Sequence, residues 1–244
     1  MNQGLIAYSV SVMKRGKFIV VLGPVGVGKS TIIRYLMVAL SGRGFRVRRI
    51  FIKSFHGLAY VMWVAIARLL GLPSRYAPWY LIPKSGRVGL ARLLMVLSAY
   101  VDVFINVPIK LLAVFIGRLL GFTVLSEEYL QSMLFDYLYS YMDLNIKGVL
   151  SRLPLRVLLS VLISNVPDVT VVLNAGDGEL LRRWLGRGYG DPQPLRYVRL
   201  QRWFLLNYVN GVVGARVFIV DSDGLSIMDT VNALIRVIER EYNV

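Results

Sequence analysis

Cysteine is absent from this 244-residue chain, and histidine occurs once, at His56. The first absence excludes a disulfide framework and a thiolate metal site; the second excludes a histidine-built metal centre. A single imidazole that titrates near neutral pH is more often structural than catalytic. Acid is missing from the first 101 residues. The first carboxylate is Asp102, whereas 15 of the 29 Lys and Arg residues precede it. No general base or carboxylate metal ligand can therefore come from that portion, and any such group must follow it. The net charge of +15 is concentrated there too, because the remainder balances 14 basic against 14 acidic residues. Such a field suits nucleotides, nucleic acid or anionic lipid.

Uninterrupted apolar runs of about 18–20 residues, the length that spans a bilayer, are also lacking. This holds although 56% of residues are hydrophobic and mean hydropathy is +0.57. Residues 93–109 are interrupted by Asp102, Asn106 and Pro108, and residues 111–122 by Arg118. Buried or interfacial helices are expected instead of a span. Residues 1–12 place no charged side chain ahead of their apolar part, so no secretory signal is expected. A cytoplasmic location, peripheral to a membrane at most, follows. Two further motifs are missing: the N-K-x-D guanine signature and any second helicase-type motif.

What is present begins at Gly23-Pro24-Val25-Gly26-Val27-Gly28-Lys29-Ser30, followed by Thr31. This fits G-x-x-x-x-G-K-[ST], the phosphate-binding P-loop. Its flanks are the ones the motif needs. Residues 17–22 (KFIVVL) read as a buried parallel strand, and Ile32, Ile33, Leu36, Met37 and Leu40 recur at helical spacing. Glycines at Gly23, Gly26 and Gly28 let backbone N–H groups, Val27 among them, close on phosphate oxygens. The helix start adds its positive dipole end, Lys29 a charge, and Ser30 a ligand for Mg²⁺.

Along the chain, strands are expected at 45–52, 122–126, 169–174 and 216–220. Helices are expected at 57–71, 128–141, 153–164, 177–186, 195–209 and 226–241. Pro154 reads as the opening of the 153–164 helix. Pro73, Pro78 and Pro83 read as a loop carrying the exposed aromatics Tyr76, Trp79 and Tyr80. Residues 88–120 read as a helical hairpin or one helix kinked at Pro108. Five strands alternating with helices predict an α/β fold, a doubly wound five-stranded parallel sheet with helices on both faces. Ligands of such sheets sit at the carboxyl ends of the strands, where the P-loop, Glu127, Asn174 and Asp221 fall.

A P-loop needs a partner carboxylate for its magnesium. Pattern alone leaves two candidates: Glu127-Glu128 after FTVLS, and Asp221 or Asp223 after RVFIV. Each could equally cap the next helix. Arginines crowd 182–202, with Arg183 and Arg187 four apart before a glycine loop, where they could close over a transferring phosphoryl group.

Over most of residues 17–241 the chain resembles the thymidylate kinase-like branch of the P-loop nucleotide kinases. FIVVLGPVGVGKSTIIRYL is similar to that family's opening strand and P-loop, and VLSEEYLQSMLFDY to its DRY segment. VPDVTVVLNAGDGELLRRWLGR is similar to its fourth strand and R-x-x-x-R lid, and RVFIVDSDGLSIMDTVNALIRVI to its last strand, adenine-side loop and closing helix. The resemblance implies a P-loop nucleoside triphosphate hydrolase fold over 1–244, with a helical insertion at about 56–121 and an arginine lid at about 182–194. It implies ATP and Mg²⁺, with Glu127 as direct or indirect metal partner beside Ser30. Arg183 and Arg187 would be lid arginines, and 221–225, including Asp221 and Asp223, would contact the base. The acceptor would lie near Lys53 and Tyr129. The departures are Val25, where the family often has aspartate, and Glu128, where it has the DRY arginine. The ATP half looks kept and the dTMP half altered.

The activity this implies is phosphoryl transfer from ATP–Mg to a nucleoside monophosphate (dTMP-like) or a related small acceptor. The alternative is a nucleotide-binding regulatory module that has lost its acceptor site and associates with a membrane surface. A homodimer and an anionic membrane surface are partners left open; nucleic acid is not expected as one.

Overall fold

The apolar run at 17–22 becomes the central strand of a parallel sheet. The computed structural model describes residues 16–72, 77–186, 195–212 and 216–242. Strands β1 (Phe18–Leu22), β2 (Val47–Phe51), β3 (Thr123–Glu127), β4 (Val169–Asn174) and β5 (Arg216–Asp221) pair in the order β2-β3-β1-β4-β5. The helices are α1 (Lys29–Gly42), α2 (Leu58–Leu69), α3 (Pro78–Lys84), α4 (Val88–Val101), α5 (Val107–Leu119), α6 (Leu130–Asp143), α7 (Val149–Ser164), α8 (Asp177–Leu185), α9 (Leu195–Val212) and α10 (Ile227–Tyr242). Helices α2 to α5 all lie between β2 and β3.

Successive side chains of β1 enter opposite layers, as the period of a strand requires. Ile19 and Val21 pack with Ile33, Leu36 and Leu40 of α1 and with Val231, Leu234 and Ile238 of α10. Phe18, Val20 and Leu22 pack with Trp63, Met95, Met133, Tyr137 and Leu158. Each such aliphatic side chain contributes roughly 1.5–3 kcal/mol by leaving water, so both faces of the strand hold it in register. At the amino end of the sheet, the Phe18 amide donates to Asp168 (2.6 Å), and Arg118 pairs with the same carboxylate at 2.9 Å. The carboxyl end is left to loops.

Two local expectations are corrected, and of the two readings of residues 88–120 the single helix holds. The 78–84 stretch is helix α3, not loop, and Trp79 stacks on Phe55 with ring centroids 4.9 Å apart. Residues 88–119 form one continuous helix, not a hairpin. Its irregularity is a π-helical turn at Asp102–Asn106, just before Pro108, where a proline ring would otherwise crowd the preceding turn. Helix α7 begins at Val149, so Pro154 is inside it. The missing proline N–H leaves the Leu150 carbonyl without an i+4 donor, and the Tyr100 hydroxyl donates to it at 2.9 Å.

The 88–119 helix is long and apolar enough to cross a bilayer, and 39% of its most apolar window is buried. Its inner face carries Asp102, fully buried against the domain. Its outer face, from Leu93 through Leu97, Phe104, Ile109, Leu112 and Phe115 to Leu119, is an apolar stripe whose side chains are 42–59% exposed. At 1.5 Å per residue it runs about 40 Å.

Candidate active site

The turn out of β1 is built on glycine. Gly23, Gly26 and Gly28 have φ of 154°, 92° and 102°; the last two lie well inside the left-handed region. A Cβ on Gly23 would stand 2.7 Å from the Leu173 carbonyl oxygen, so the loop can pass β4 only as glycine. Gly28 caps α1. The Thr31 amide turns back to the Gly28 carbonyl at 3.0 Å, while the first amides of a helix have no intrahelical partner and point outward from its start. Lys29 lies back over the loop. Its Nζ donates to the Gly23 and Pro24 carbonyls at 2.6 and 3.0 Å and pairs with Glu128 at 2.9 Å.

The two acids that end β3 part in direction. Glu127 accepts a hydrogen bond from the Ser30 hydroxyl with one oxygen, and its other oxygen pairs with Arg49. Glu128 takes a left-handed φ of 65°, which turns its side chain beneath the loop. There it meets Lys29 and accepts from the Ser132 hydroxyl. Burial works against its charge, but Lys29, Lys53 and Ser132 outweigh that and hold its carboxyl below the usual range. Pattern reasoning had no means to separate these neighbours; one sits on Ser30 and the other on Lys29. Ser30 and Glu127 present a hydroxyl and a carboxylate in contact at the loop, an all-oxygen pair of the kind a hard divalent cation takes. Among the described residues no cluster of three or more His, Asp or Glu side chains could hold a metal by itself. A magnesium here would have to share its coordination with phosphate and water, as this ion usually does.

On the far side of the loop, Arg183 of α8 donates to the Val27 carbonyl at 2.9 Å and pairs with Glu179 at 2.6 Å. It also reaches the Ser222 oxygens at 3.4 Å. It joins the phosphate loop to the 221–225 turn. In that turn Asp221 accepts from the Asp223 amide at 3.1 Å, and Asp223 accepts from the Gly176 amide at 2.7 Å. Both carboxylates organise backbone at the β4–β5 edge. Arg187, the second expected lid arginine, lies outside the described residues.

Lys53 opens onto a cavity of about 220 Å³ that begins at Val25 in the loop itself. Phe55, Trp79, Tyr80, Tyr139 and Tyr197 line it, with Asp136 and Asp143 as its carboxylates and His56 at its edge. Burial lowers the His56 pKa, and its Nδ1 lies 2.8 Å from the Ser54 carbonyl. Burial also works against the Lys53 ammonium, but Glu128, Asp136 and Glu127 outweigh it and raise its pKa. Asp136 accepts from the Ser54 and Tyr197 hydroxyls; burial pushes its pKa up, against the pull of Lys53. The wall is fixed from behind. The Phe55 backbone, strained to a φ of 58°, donates its N–H to Asp102 at 2.8 Å, and Asn106 donates to the His56 carbonyl at 2.7 Å. Fully buried Gln201 of α9 accepts the Val25 amide at 2.9 Å and lies 3.4 Å from the Tyr197 hydroxyl. One polar chain thus joins loop to cavity.

Tyr129 is not part of this cavity, which corrects its expected acceptor role. Its backbone is extended (φ −158°, ψ −169°), and its ring runs back along the sheet to meet Phe18 edge-on at 5.3 Å. Its hydroxyl donates to the Asn165 carbonyl at 2.7 Å. The residues that sequence reasoning missed are Asp136, Tyr197 and Gln201. They are separated from the loop by more than 100 positions and carry no local motif.

No protein-family model matches the sequence, and no curated protein matches it by sequence. Among solved structures the chain is similar to thymidylate kinase from Candida albicans, with a TM-score of 0.59 and 18% identity over 94% of this chain and 93% of that one. The likeness is one of fold. The five-stranded parallel sheet with its helices is a P-loop nucleoside triphosphate hydrolase fold of thymidylate-kinase-like form.

Proposed function

We propose that the chain is a P-loop kinase that binds ATP with Mg²⁺ at the Gly23–Ser30 loop and transfers its terminal phosphoryl group to a nucleoside monophosphate or a related small acceptor. The observation that carries this reading is the shared wall: Val25 belongs both to the loop and to the aromatic cavity. A donor phosphate on the loop and an acceptor in the cavity would meet there. The loop amides and Lys29 hold the donor phosphates, Lys29 exchanging its carbonyl partners for phosphate oxygens. Ser30 and Glu127 hold the metal, which when bound neutralises charge on the phosphates. Arg183 keeps the loop and the 221–225 turn in one piece beside the donor base. Phosphoryl transfer needs positioning and charge stabilisation more than covalent help, and these groups supply both. The test is Lys29→Ala in a titration with ATP–Mg. Affinity should fall by ~100-fold or more, the loss of a charge-assisted contact to phosphate. Unchanged affinity refutes the reading.

A second reading concerns where the protein works, and the exposed stripe of the 88–119 helix favours it. Helices α2, α4, α5 and α7 with the π turn carry Arg68, Arg92, Lys110, Arg118, Arg152 and Arg156, and their single acid, Asp102, is buried. An apolar stripe on helices that carry cations and no exposed acid suits an anionic bilayer surface, with the helix lying in the interface plane. A second copy would set like charges against each other around the same stripe. Co-sedimentation with vesicles of anionic lipid, lost on Ile109→Glu with Leu112→Glu, supports the membrane. A particle of twice the chain mass that ignores vesicles assigns the stripe to a homodimer.

A further inference from the structure

Among the described residues, the cavity beside the loop is poor in free positive charge. Lys53 is the one cation in its lining, and it faces the carboxylates of Asp136, Glu128 and Glu127. His56 is held toward its neutral form. Outside the lining, Lys84 stands 4.6 Å from the centre of the Tyr80 ring, and Lys29 is matched by Glu128 at 2.9 Å. Two carboxylates, Asp136 and Asp143, line the cavity itself. A phosphate monoester carries about −1.5 to −2 charges at neutral pH. Placed here it would meet acids on two sides, with its best cation already engaged, and it would be desolvated without matching partners. The walls ask for something else. Phe55, Trp79, Tyr80, Tyr139 and Tyr197 offer flat apolar faces, while Asp136 offers an acceptor oxygen to a hydroxyl or ring N–H.

We propose that the acceptor is an uncharged, hydroxyl-bearing aromatic ring compound of the nucleoside class and not its phosphate monoester, selected by the carboxylates Asp136 and Asp143 in an aromatic cavity whose lining, among the described residues, holds one cation, Lys53. This rests on the kinase reading above. The ring lies among the tyrosines, and the free hydroxyl sits at the Val25 end, toward the loop. The acceptor oxygen forms a bond to the γ-phosphorus. The bond from that phosphorus to the β–γ bridging oxygen breaks, its electron pair leaving on ADP. The hydroxyl proton passes to Asp136, whose carboxylate lies in the cavity and is fixed by Ser54 and Tyr197.

The experiment uses the full chain with ATP–Mg. ADP release is measured with each of the common nucleosides and, in parallel, with its own 5′-monophosphate, and ATP binding is titrated separately. The expected result is a kcat/KM for at least one nucleoside ~10-fold or more above that of its monophosphate, the scale on which an unmatched buried charge discriminates. Asp143→Lys, an exposed charge reversal at the cavity rim, should narrow that ratio several-fold by helping the monophosphate, with ATP affinity unchanged. Faster turnover of a monophosphate than of its nucleoside overturns the proposal and leaves the kinase reading standing. ATP binding with neither acceptor class bound nor phosphorylated also overturns it. Failure to bind ATP at all instead removes the kinase reading on which it rests.

Discussion

Asp102 sets up a measurable conflict between burial and charge. It lies in the π-helical turn, fully buried, and accepts hydrogen bonds from the Phe55 amide (2.8 Å), the Tyr137 hydroxyl (2.5 Å) and the Asn106 side chain (2.7 Å). Burial pushes its pKa up from 3.8 to about 6; the three hydrogen bonds pull against this and nearby Asp136 adds to it. A carboxyl whose pKa is higher folded than unfolded binds more protons in the folded state between those two values. Stability therefore falls as pH rises through that window and is level outside it. With the two pKa values about 2.2 units apart, the fall from this group is about 3 kcal/mol in all, of which about 2 kcal/mol comes between pH 4 and pH 6. Asp102→Asn removes the titration. It keeps an acceptor for Phe55 and Tyr137 but meets Asn106 with the wrong polarity, a cost of roughly 1–3 kcal/mol that does not vary with pH. The variant should therefore be less stable than wild type at pH 4 and close to it, or better, above pH 6.5. Urea midpoints of both proteins, taken every half unit from pH 4 to pH 7.5, give the difference directly, since the carboxyls other than its neighbour Asp136 titrate equally in each. A difference curve that stays flat across that range refutes the account of Asp102 as a buried charge.

Two other side chains make separate predictions. Gln201→Leu leaves the Val25 amide without its buried acceptor; we expect a stability loss of about 1–3 kcal/mol and, by calorimetric titration, ATP binding weaker by ~10-fold as the loop loosens. Tyr129→Phe removes only the bond to the Asn165 carbonyl; stability should drop by about 0.5–1.5 kcal/mol with acceptor KM unchanged, and a raised KM would return Tyr129 to the acceptor site.

The sheet was legible because its strands are short and four of the five are mostly apolar. The Gly23–Ser30 loop was legible because its tight turn requires glycine at fixed spacing. Other features depend on geometry that spacing does not carry. Glu127 and Glu128 are neighbours in sequence, yet a left-handed backbone at Glu128 sends them to different partners. Tyr129 follows those acids, as an acceptor residue would, but an extended backbone points its ring into the core. Pro154 read as a helix start because proline is usual there; its interior position is tolerated because Tyr100, 50 residues away, takes the freed carbonyl. Asp136, Tyr197 and Gln201 had no local signature, since what unites them is a run of hydrogen bonds between α6 and α9.

The placement of β1 bears on how the protein is made. Its edges are paired by β3 and β4, whose residues are synthesised about 100 and 150 positions later, and the Val25 amide waits for Gln201. A growing chain cannot complete the phosphate loop until most of its length has left the ribosome. Contacts of such long range make for slow folding. Until then the first 101 residues, basic and without a carboxylate, have no acid of their own to pair with.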